Sequence, residues 1–516
     1  MRSLELHGVK LVFGIPGIHT LPIYDHLSSS PIRHVSPRHE EGAGFAADGY
    51  ARTTGRPGVC IVITGPGLTN LATAAAQAYS DSVPVLIIST ALPRELIGRA
   101  SGYLHEAKDQ QRALDGLVAW SHTAKSPADA VDAIDRAFSG FAGGRPRPVH
   151  VAIPLDVLEM TEAVDAGPRR RPRGVVLDTQ AAATAARLLA EARHPVIIAG
   201  GGARGAPTEV RRLAERTGAP VITTFNGKGV LPEDHPLSLG SSLYLPAARS
   251  FVNGCDVVVA VGTELAQADM WLGGLDLTGR LMRIDIDPTQ LDKNYPADLG
   301  ILGDAGEALN LVLEALGGPI AASGMPERLA AAREAIARDA ATDGREWMPL
   351  MRTLRQELAP DAIVAGDNNQ ACLYGLLSFP VRQPACFLFP SGYATLGYGL
   401  PAAIGAKLAH PDRQVVALMG DGGLMFTVGE LATAAELRLP LPVIVVNNGG
   451  YGEIRREMDQ RGSRRLGVDL LNPYFPALGR AFGGRGVPVD DLAELPSALT
   501  GAFAFQGPTV IELRRW

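Results

Sequence analysis

The sequence has few cysteines, no excess of positive charge and no long apolar run. Its four cysteines are far apart and form no Cys-x-x-Cys pair, so we expect neither a disulfide framework nor a zinc site. The net charge of −6 offers no electrostatic attraction for nucleic acid or anionic lipid. No apolar window of about 18 residues occurs, and Arg2 and Glu5 stand where a signal peptide needs apolar residues. We therefore expect a cytoplasmic protein without nucleic-acid or membrane partners.

Glycine, in contrast, is abundant, with 59 residues beside 38 prolines. Short apolar runs that end in Gly, Pro, Asn or Ser, such as the predicted strands Leu11–Phe13 and Val257–Val261, alternate with alanine-rich helical segments. This alternation is typical of parallel sheets covered by helices on both faces. The length predicts about three domains. We expect an α/β protein with three doubly wound domains, spanning residues 1–162, 178–317 and 340–516, of which the first and third are similar in plan. The central domain is expected to be Rossmann-like.

Two linkers are predicted between these domains. The first, 167–174, contains a basic run that could bind an anion, but its prolines favour a solvated linker. The second lies near 317–324 and precedes a charged helix.

Two polar residues follow neighbouring predicted strands late in the chain. Asp421 lies in Gly420-Asp-Gly-Gly423, and Asn448 follows the next strand, with a predicted helix over 426–437 between them. In a parallel sheet both side chains emerge at the carboxyl edge, where ligands bind. A carboxylate with an amide oxygen suits Mg²⁺, and Gly420, Gly422 and Gly423 would let a phosphate approach the backbone. Each motif alone is also a common turn, but together they favour a magnesium-diphosphate site.

This pattern resembles the thiamine-diphosphate-binding motif, and over its whole length the chain resembles the acetolactate synthase/2-oxo-acid decarboxylase superfamily. The resemblance implies a thiamine-diphosphate-binding fold, with a pyrimidine-binding, a central and a diphosphate-binding domain. It implies thiamine diphosphate and Mg²⁺ as cofactors, with the metal held by Asp421, Asn448 and the carbonyl of Gly450. Asn368 and Asn369 stand where relatives place Gln-His against the diphosphate.

A second segment, Arg38-His-Glu-Glu-Gly42, reads by itself as a charged turn before a helix. It also matches the family's glutamate segment, which implies that Glu40 hydrogen-bonds N1′ of the pyrimidine and relays a proton. Glu41 is expected to cap the helix or face solvent. Because the family pairs the first domain of one chain with the third domain of another, a homodimer or homotetramer is implied.

The loop Ser391–Gly397 opens a helix of small residues, which alone would suggest helix packing. The resemblance implies that this loop holds the pyrimidine, with backbone contacts from Ala394 and with Leu396 forcing the bent cofactor shape.

His105 lies where the synthases carry Phe-Gln-Glu and is a candidate acid–base residue; the alternative is a surface histidine. His19 is a weaker candidate, which we leave out of the catalytic set. The run Gly200–Gly205 matches the dinucleotide fingerprint G-x-G-x-x-G, but no acidic residue follows the next strand. FAD is not expected, because Gly262–Asp269 replaces the family's arginine-bearing stretch.

The reaction depends on the segment after the Asn-Asn pair. Glu453, Ile454 and Glu457 occupy a short predicted helix where the synthases place apolar pocket residues, and the two carboxylates can share one face. This face is either solvated surface or an acidic pocket for a cationic substrate. The N-terminal third looks like that of 5-guanidino-2-oxopentanoate decarboxylases in three motifs: Val12-Phe-Gly-Ile-Pro-Gly-Ile-His-Thr20, Arg38-His-Glu-Glu-Gly-Ala-Gly-Phe45 and Leu104-His-Glu106 with Asp109-Gln110. The substrate of those enzymes ends in a guanidinium, which carboxylates bind well. We therefore expect a 2-oxo-acid decarboxylase, a lyase; an acetolactate synthase-type carboligase and, more remotely, a non-catalytic subunit are the alternatives.

Overall fold

Three parallel sheets organise the chain. A computed structural model describes residues 1–166, 175–271, 273–318, 320 and 325–514. Every pairing between the named strands is parallel, and helices cover both faces of each sheet, which confirms the predicted α/β class with three domains. The first predicted linker, 167–174, lies outside the described residues and the second lies partly outside them, so the domain boundaries stay predictions.

The first domain contains a six-stranded sheet in the order β2-β1-β3-β4-β6-β5. Its strands are β1 Leu11–Phe13, β2 Arg33–Val35, β3 Gly58–Val62, β4 Val85–Ala91, β5 Ser121–Thr123 and β6 Val149–Pro154. Its helices are α1 Arg2–Leu6, α2 Leu21–Ser28, α3 Glu40–Thr54, α4 Pro66–Ser80, α5 Gln110–Asp115, α6 Pro127–Gly143 and α7 Leu155–Leu158, with a 3-10 turn at Ile18–Thr20.

The central domain has five strands in the order β11-β10-β9-β7-β8. These are β7 Pro195–Ala199, β8 Val221–Thr223, β9 Val257–Val261, β10 Arg280–Asp285 and β11 Leu299–Leu302. The helices are α8 Thr179–Glu191, α9 Pro207–Thr217, α10 Pro246–Asn253, α11 Gln267–Met270, α12 Ala305–Leu316 and α13 Met325–Gly344, with 3-10 turns at Gly201–Gly205 and Pro288–Gln290. The first half of α13 packs into the central core.

The third domain repeats the winding of the first, with the order β13-β12-β14-β15-β17-β16. Its strands are β12 Ile363–Gly366, β13 Phe387–Leu388, β14 Val415–Gly420, β15 Leu441–Val446, β16 Arg485–Val489 and β17 Pro508–Leu513. Its helices are α14 Met348–Glu357, α15 Gln370–Ser378, α16 Gly399–Ala409, α17 Asp421–Phe426, α18 Glu430–Glu436, α19 Gly452–Gln460, α20 Phe475–Ala481 and α21 Leu495–Ala504, with a 3-10 turn at Leu492–Glu494. The predicted similarity of the two outer domains is thereby confirmed.

Alternate residues of the inner strands fill two separate cores. In β3, Cys60 and Val62 pack on one face of the first sheet, while Val59 and Ile61 pack on the other. A strand buried on both faces has to be apolar at every position, which is why these strands are uninterrupted apolar runs. No helix among the described residues is long and apolar enough to cross a membrane.

One predicted helix, 426–437, is wrong in its bounds. The segment forms two short helices instead, α17 and α18, because the chain breaks at Thr427, whose hydroxyl donates to the carbonyl oxygen of Gly397 (2.7 Å). Helix α17 begins at Asp421 itself, so that this carboxylate lies in a first helical turn at the sheet edge.

Candidate active site

The carboxylate of Asp421 lies at the carboxyl edge of the third sheet. This residue is 1% exposed and directly follows β14. Its Oδ2 accepts hydrogen bonds from the backbone N–H of Gly450 (2.7 Å) and from Nδ2 of Asn472 (2.5 Å). Both donors bind Oδ2, and the other carboxylate oxygen of Asp421, Oδ1, faces the side chain of Asn448. Asn472 was not predicted, since it lies in an irregular segment far along the chain.

A carboxylate, a carbonyl and a side-chain amide meet at this point. The amide of Asn448 lies 2.9 Å from the carbonyl oxygen of Gly450 and 3.3 Å from Oδ1 of Asp421, and turning its oxygen toward both atoms requires a cation between them. Neighbouring ligands of an octahedral Mg²⁺, with bonds of about 2.1 Å, stand about 3 Å apart. Without a cation, the amide of Asn448 rotated by 180° would donate to both oxygens. The three residues therefore fit a divalent cation.

Glycine is required beside these oxygens. Gly450 has φ of +138°, and a Cβ there would stand 2.1 Å from the carbonyl oxygen of Val468. At Gly423 a Cβ would stand 2.0 Å from Oδ2 of Asp367, and at Gly422 it would overlap the ring of Tyr451. Close packing within the third domain thus explains these glycines, and their contact with a diphosphate stays a prediction.

The segment after β12 is tied to the neighbouring loop. Asn368 donates from Nδ2 to the carbonyl oxygen of Ala394 (2.6 Å), whereas Asn369 caps α15 by accepting from the N–H of Cys372 (3.0 Å). The sequence did not indicate Asp367, which is fully buried and accepts the N–H groups at the end of the loop. Burial raises the pKa of Asp367 to about 6.

The loop Ser391–Gly397 is held in an unusual backbone shape. Ala394 has a left-handed φ of +57° and Gly397 one of +85°. Leu396 is half-buried beside Gly423. The loop therefore brings the two residues predicted for the pyrimidine, Ala394 and Leu396, to the same edge as Asp421.

Glu40 occupies the first turn of α3 and is 8% exposed. Its Oε2 accepts a hydrogen bond from Nδ2 of Asn70 (2.9 Å). The turn before it is fixed from the third domain, because Oε1 of Glu430 accepts the N–H groups of Arg38 (3.0 Å) and His39 (3.1 Å). Glu40 is thus a buried carboxylate with one oxygen bound and a rigid backbone.

Glu41 does not match its expected place. The helix is capped by His39, whose Nδ1 accepts the N–H of Glu41 (3.2 Å), and the side chain of Glu41 is half-buried. Burial raises its pKa to about 7, and the nearby charge of Asp367 adds to this effect. Two adjacent carboxylates therefore sit in different environments.

His105 and His19 lie together at the carboxyl edge of the first sheet. Their rings meet edge to face with centroids 5.1 Å apart, and His105 has a left-handed φ of +65°. His19 is 6% exposed, and burial lowers its pKa, with the neighbouring His105 lowering it further. The turn at Gly65, beneath these two histidines, is fixed by Gln110, whose Oε1 accepts the N–H of Gly65 (2.9 Å). The structure thus places His19, left out of the predicted catalytic set, against the predicted His105.

The predicted helix with Glu453, Ile454 and Glu457 is present as α19. Glu453 is engaged within the chain: one oxygen accepts from Arg456 (2.5 Å) and the other from Nε2 of Gln370 (2.9 Å). Among the described residues, the side chain of Glu457 has one long contact, 3.4 Å from Nη2 of Arg461, which is itself well exposed. Glu457 is therefore the freer carboxylate, and Ile454 is exposed.

The glycines of the central domain pack against each other. A Cβ on Gly200 would stand 2.3 Å from the carbonyl oxygen of Gly262. In the stretch Gly262–Asp269, Glu264 accepts from Lys293 (2.8 Å) and pairs with Arg145 of the first domain. A cavity of about 710 Å³ lies between the three domains beside these turns. Tight packing accounts for Gly200 and Gly202 of the G-x-G-x-x-G pattern, whereas a Cβ on Gly205 would meet no atom within 4 Å.

Three family models match the chain. The N-terminal TPP binding domain of thiamine pyrophosphate enzymes matches residues 1–113, the central domain matches 182–312, and the C-terminal TPP binding domain matches 368–513.

Curated relatives match over nearly the full length. The probable 2-ketoarginine decarboxylase of Pseudomonas aeruginosa is 45% identical, with 100% of this chain and 93% of the relative covered. The acetolactate synthase large subunit of Parasynechococcus marenigrum is 35% identical, with 99% and 86% covered. The isozyme 1 large subunit of acetolactate synthase from Escherichia coli is 32% identical, with 100% and 92% covered.

Proposed function

Because the chain belongs to the thiamine pyrophosphate enzyme family, we propose that it uses thiamine diphosphate with Mg²⁺ to decarboxylate a 2-oxo acid. The observation that carries the proposal is that the carboxylate of Asp421, the side-chain amide of Asn448 and the carbonyl oxygen of Gly450 meet at one point. One carboxylate and two neutral oxygens suit Mg²⁺, which completes its shell with water and phosphate oxygens.

The cofactor supplies the electron sink that decarboxylation requires. Asn70 occupies Oε2 of Glu40, which leaves Oε1 to hold the proton that this residue exchanges with the pyrimidine ring. His105 delivers a proton to the carbon that loses CO₂. The C–C bond to the carboxylate breaks and a C–H bond forms, so the products are CO₂ and an aldehyde.

The substrate we propose is 5-guanidino-2-oxopentanoate, which is 2-ketoarginine. Support comes from the 45% identical relative, a probable 2-ketoarginine decarboxylase, and from the acidic face of α19. A guanidinium binds a carboxylate through charge-assisted hydrogen bonds. Since Arg456 and Gln370 already bind Glu453, we assign the substrate contact to Glu457.

A panel of 2-oxo acids tests this proposal. With thiamine diphosphate and Mg²⁺ present, we expect CO₂ release to be fastest from 5-guanidino-2-oxopentanoate. Glu457→Gln should lower kcat/KM for this acid roughly ten- to a hundredfold, since each 1.4 kcal/mol corresponds to about tenfold. A neutral 2-oxo acid of similar length should react as with wild type.

Glu453→Gln is the matched control, four residues away on the same helix. Glu453→Gln should change the preference for 5-guanidino-2-oxopentanoate less than Glu457→Gln does, because Arg456 already neutralises the carboxylate of Glu453. Equal losses on both substrates in Glu457→Gln would refute a specificity role, and a larger effect of Glu453→Gln would show that the contact belongs to Glu453 instead.

The second candidate is a carboligase, which the acetolactate synthase relatives favour. Preference for pyruvate, with acetolactate rather than acetaldehyde as the product, would support the carboligase and replace the decarboxylase proposal.

A second copy of the chain is part of the proposed enzyme, as a homodimer or homotetramer. Large apolar side chains are exposed near the proposed site residues of both outer domains. They are Ile18, Leu21, Tyr103 and Leu104 on the first domain, and Tyr393, Met425, Phe426 and Leu471 on the third. Exposed apolar patches of this kind mark interaction surfaces. Sedimentation should give the mass of two or four chains, and a monomer at micromolar concentration would contradict the proposal.

A further inference from the structure

A buried ionic cluster in the first domain lies under the loop Ser391–Gly397. Arg52 stands between two carboxylates, with Nε 2.6 Å from Asp48 and Nη2 2.7 Å from Asp81. The three side chains are at most 2% exposed. We call Asp48, Arg52 and Asp81 the interdomain clamp. Buried charges persist only when they are paired and hydrogen-bonded, so the partners of these carboxylates are informative.

Asp81 binds the start of the loop. Its Oδ1 accepts hydrogen bonds from Oγ of Ser391 (2.9 Å) and from the N–H of Gly392 (2.9 Å), and its Oδ2 accepts the N–H of Ser391 (3.2 Å). The central domain joins at the same point, because Nδ2 of Asn226 donates to Asp81 (3.0 Å) and to Oγ of Ser391 (2.9 Å). All three domains therefore meet at one carboxylate.

The end of the loop is bound to the other clamp carboxylate. The hydroxyl of Tyr398, the residue after the loop, donates to Oδ1 of Asp48 (2.6 Å). Asp48 and Arg52 belong to α3, the helix that begins with Glu40. The interdomain clamp thus connects α3, the helix that begins with Glu40, to both ends of the loop Ser391–Gly397.

We propose that Asp81 is a positioning residue that holds this loop in its cofactor-binding shape before the cofactor arrives. The inference rests on the proposed role of the loop in binding thiamine diphosphate. Left-handed backbone at Ala394 is unfavourable for a residue with a side chain, so the loop needs external contacts to keep this shape. If only a fraction of molecules holds the shape, the apparent affinity falls by that fraction.

Two variants test the proposal in full-length protein. Asp81→Asn should raise the dissociation constant for thiamine diphosphate with Mg²⁺ about tenfold or more in calorimetry. Ser391→Ala removes one hydroxyl and keeps both N–H donors, so a smaller increase of about two- to fivefold is expected. Without cofactor, amide hydrogen exchange of peptides covering 391–397 should be faster in both variants.

Glu233→Gln is the control, because it weakens a buried ion pair of the central domain that contacts the third domain at other residues. Lys228 donates to Glu233 (2.7 Å) and to the carbonyl oxygen of Leu376. This variant should lower Tm without changing cofactor affinity or exchange at 391–397. Wild-type affinity in Ser391→Ala and Asp81→Asn, or an equal loss of affinity in Glu233→Gln, would overturn the positioning role. If Asp81→Asn does not fold, Ser391→Ala decides. A wild-type protein that binds no thiamine diphosphate would instead refute the proposed function, and this inference with it.

Discussion

Replacing Glu40 by Gln is expected to lower turnover by about 10²–10⁴-fold, the usual contribution of a general acid–base group. Folding and cofactor binding should stay near wild type, because glutamine has the same shape and its amide oxygen can still accept the hydrogen bond from Asn70. The amide cannot take up a proton, so hydrogen–deuterium exchange at C2 of the bound cofactor, measured by quenched NMR, should slow in parallel.

Glu41→Gln provides the comparison, since it changes the adjacent carboxylate on the same helix turn. It should leave the C2 exchange rate within a small factor of wild type. Wild-type exchange in Glu40→Gln would contradict the assigned role, and slow exchange only in Glu41→Gln would transfer the role to the neighbour, whose pKa burial raises to about 7.

The second large effect is expected from Asp421→Ala, which should abolish retention of thiamine diphosphate. The variant removes the one charged group among the three that meet at the sheet edge, so that a divalent cation would keep two neutral protein ligands against a diphosphate. Calorimetry with thiamine diphosphate and Mg²⁺ measures the loss, and circular dichroism checks the fold.

Asn472→Ala is the graded control for this site. It removes the hydrogen bond to Oδ2 of Asp421 but leaves all three oxygens in place. We expect about tenfold weaker cofactor binding, consistent with a lost hydrogen bond to a charged group. Unchanged affinity in Asp421→Ala would refute the metal assignment.

The buried strands could be predicted because burial on both faces constrains every residue in them. Strands β1 and β9 have the predicted bounds, Leu11–Phe13 and Val257–Val261. Five strands at sheet edges were not predicted: β2, β5, β11, β13 and β16. An edge strand is covered on fewer sides, so it can be short or carry exposed residues such as Arg33 and Arg485. Local pattern does not distinguish such a strand from a loop.

The residues that support the candidate site could not be predicted in the same way. Asp421 and Asn448 follow consecutive strands, so chain order alone indicated that they would be neighbours. Asp81, Asp367 and Asn472 act through partners in distant segments, and nothing local distinguishes their side chains from those of a turn. Glu40 and Glu41 are likewise equivalent in sequence pattern, and only the packing of α3 separates their environments.

The shared strand order of the two outer sheets has an evolutionary consequence. The same winding occurs twice, and the two copies carry different residues at the carboxyl ends of corresponding strands: Gly14-Ile-Pro-Gly17 after β1, for example, and Asp367-Asn-Asn369 after β12. Substitutions at these strand ends alter no ladder hydrogen bond and little of the core. The two copies could therefore acquire different binding residues at their strand ends while a single architecture was kept.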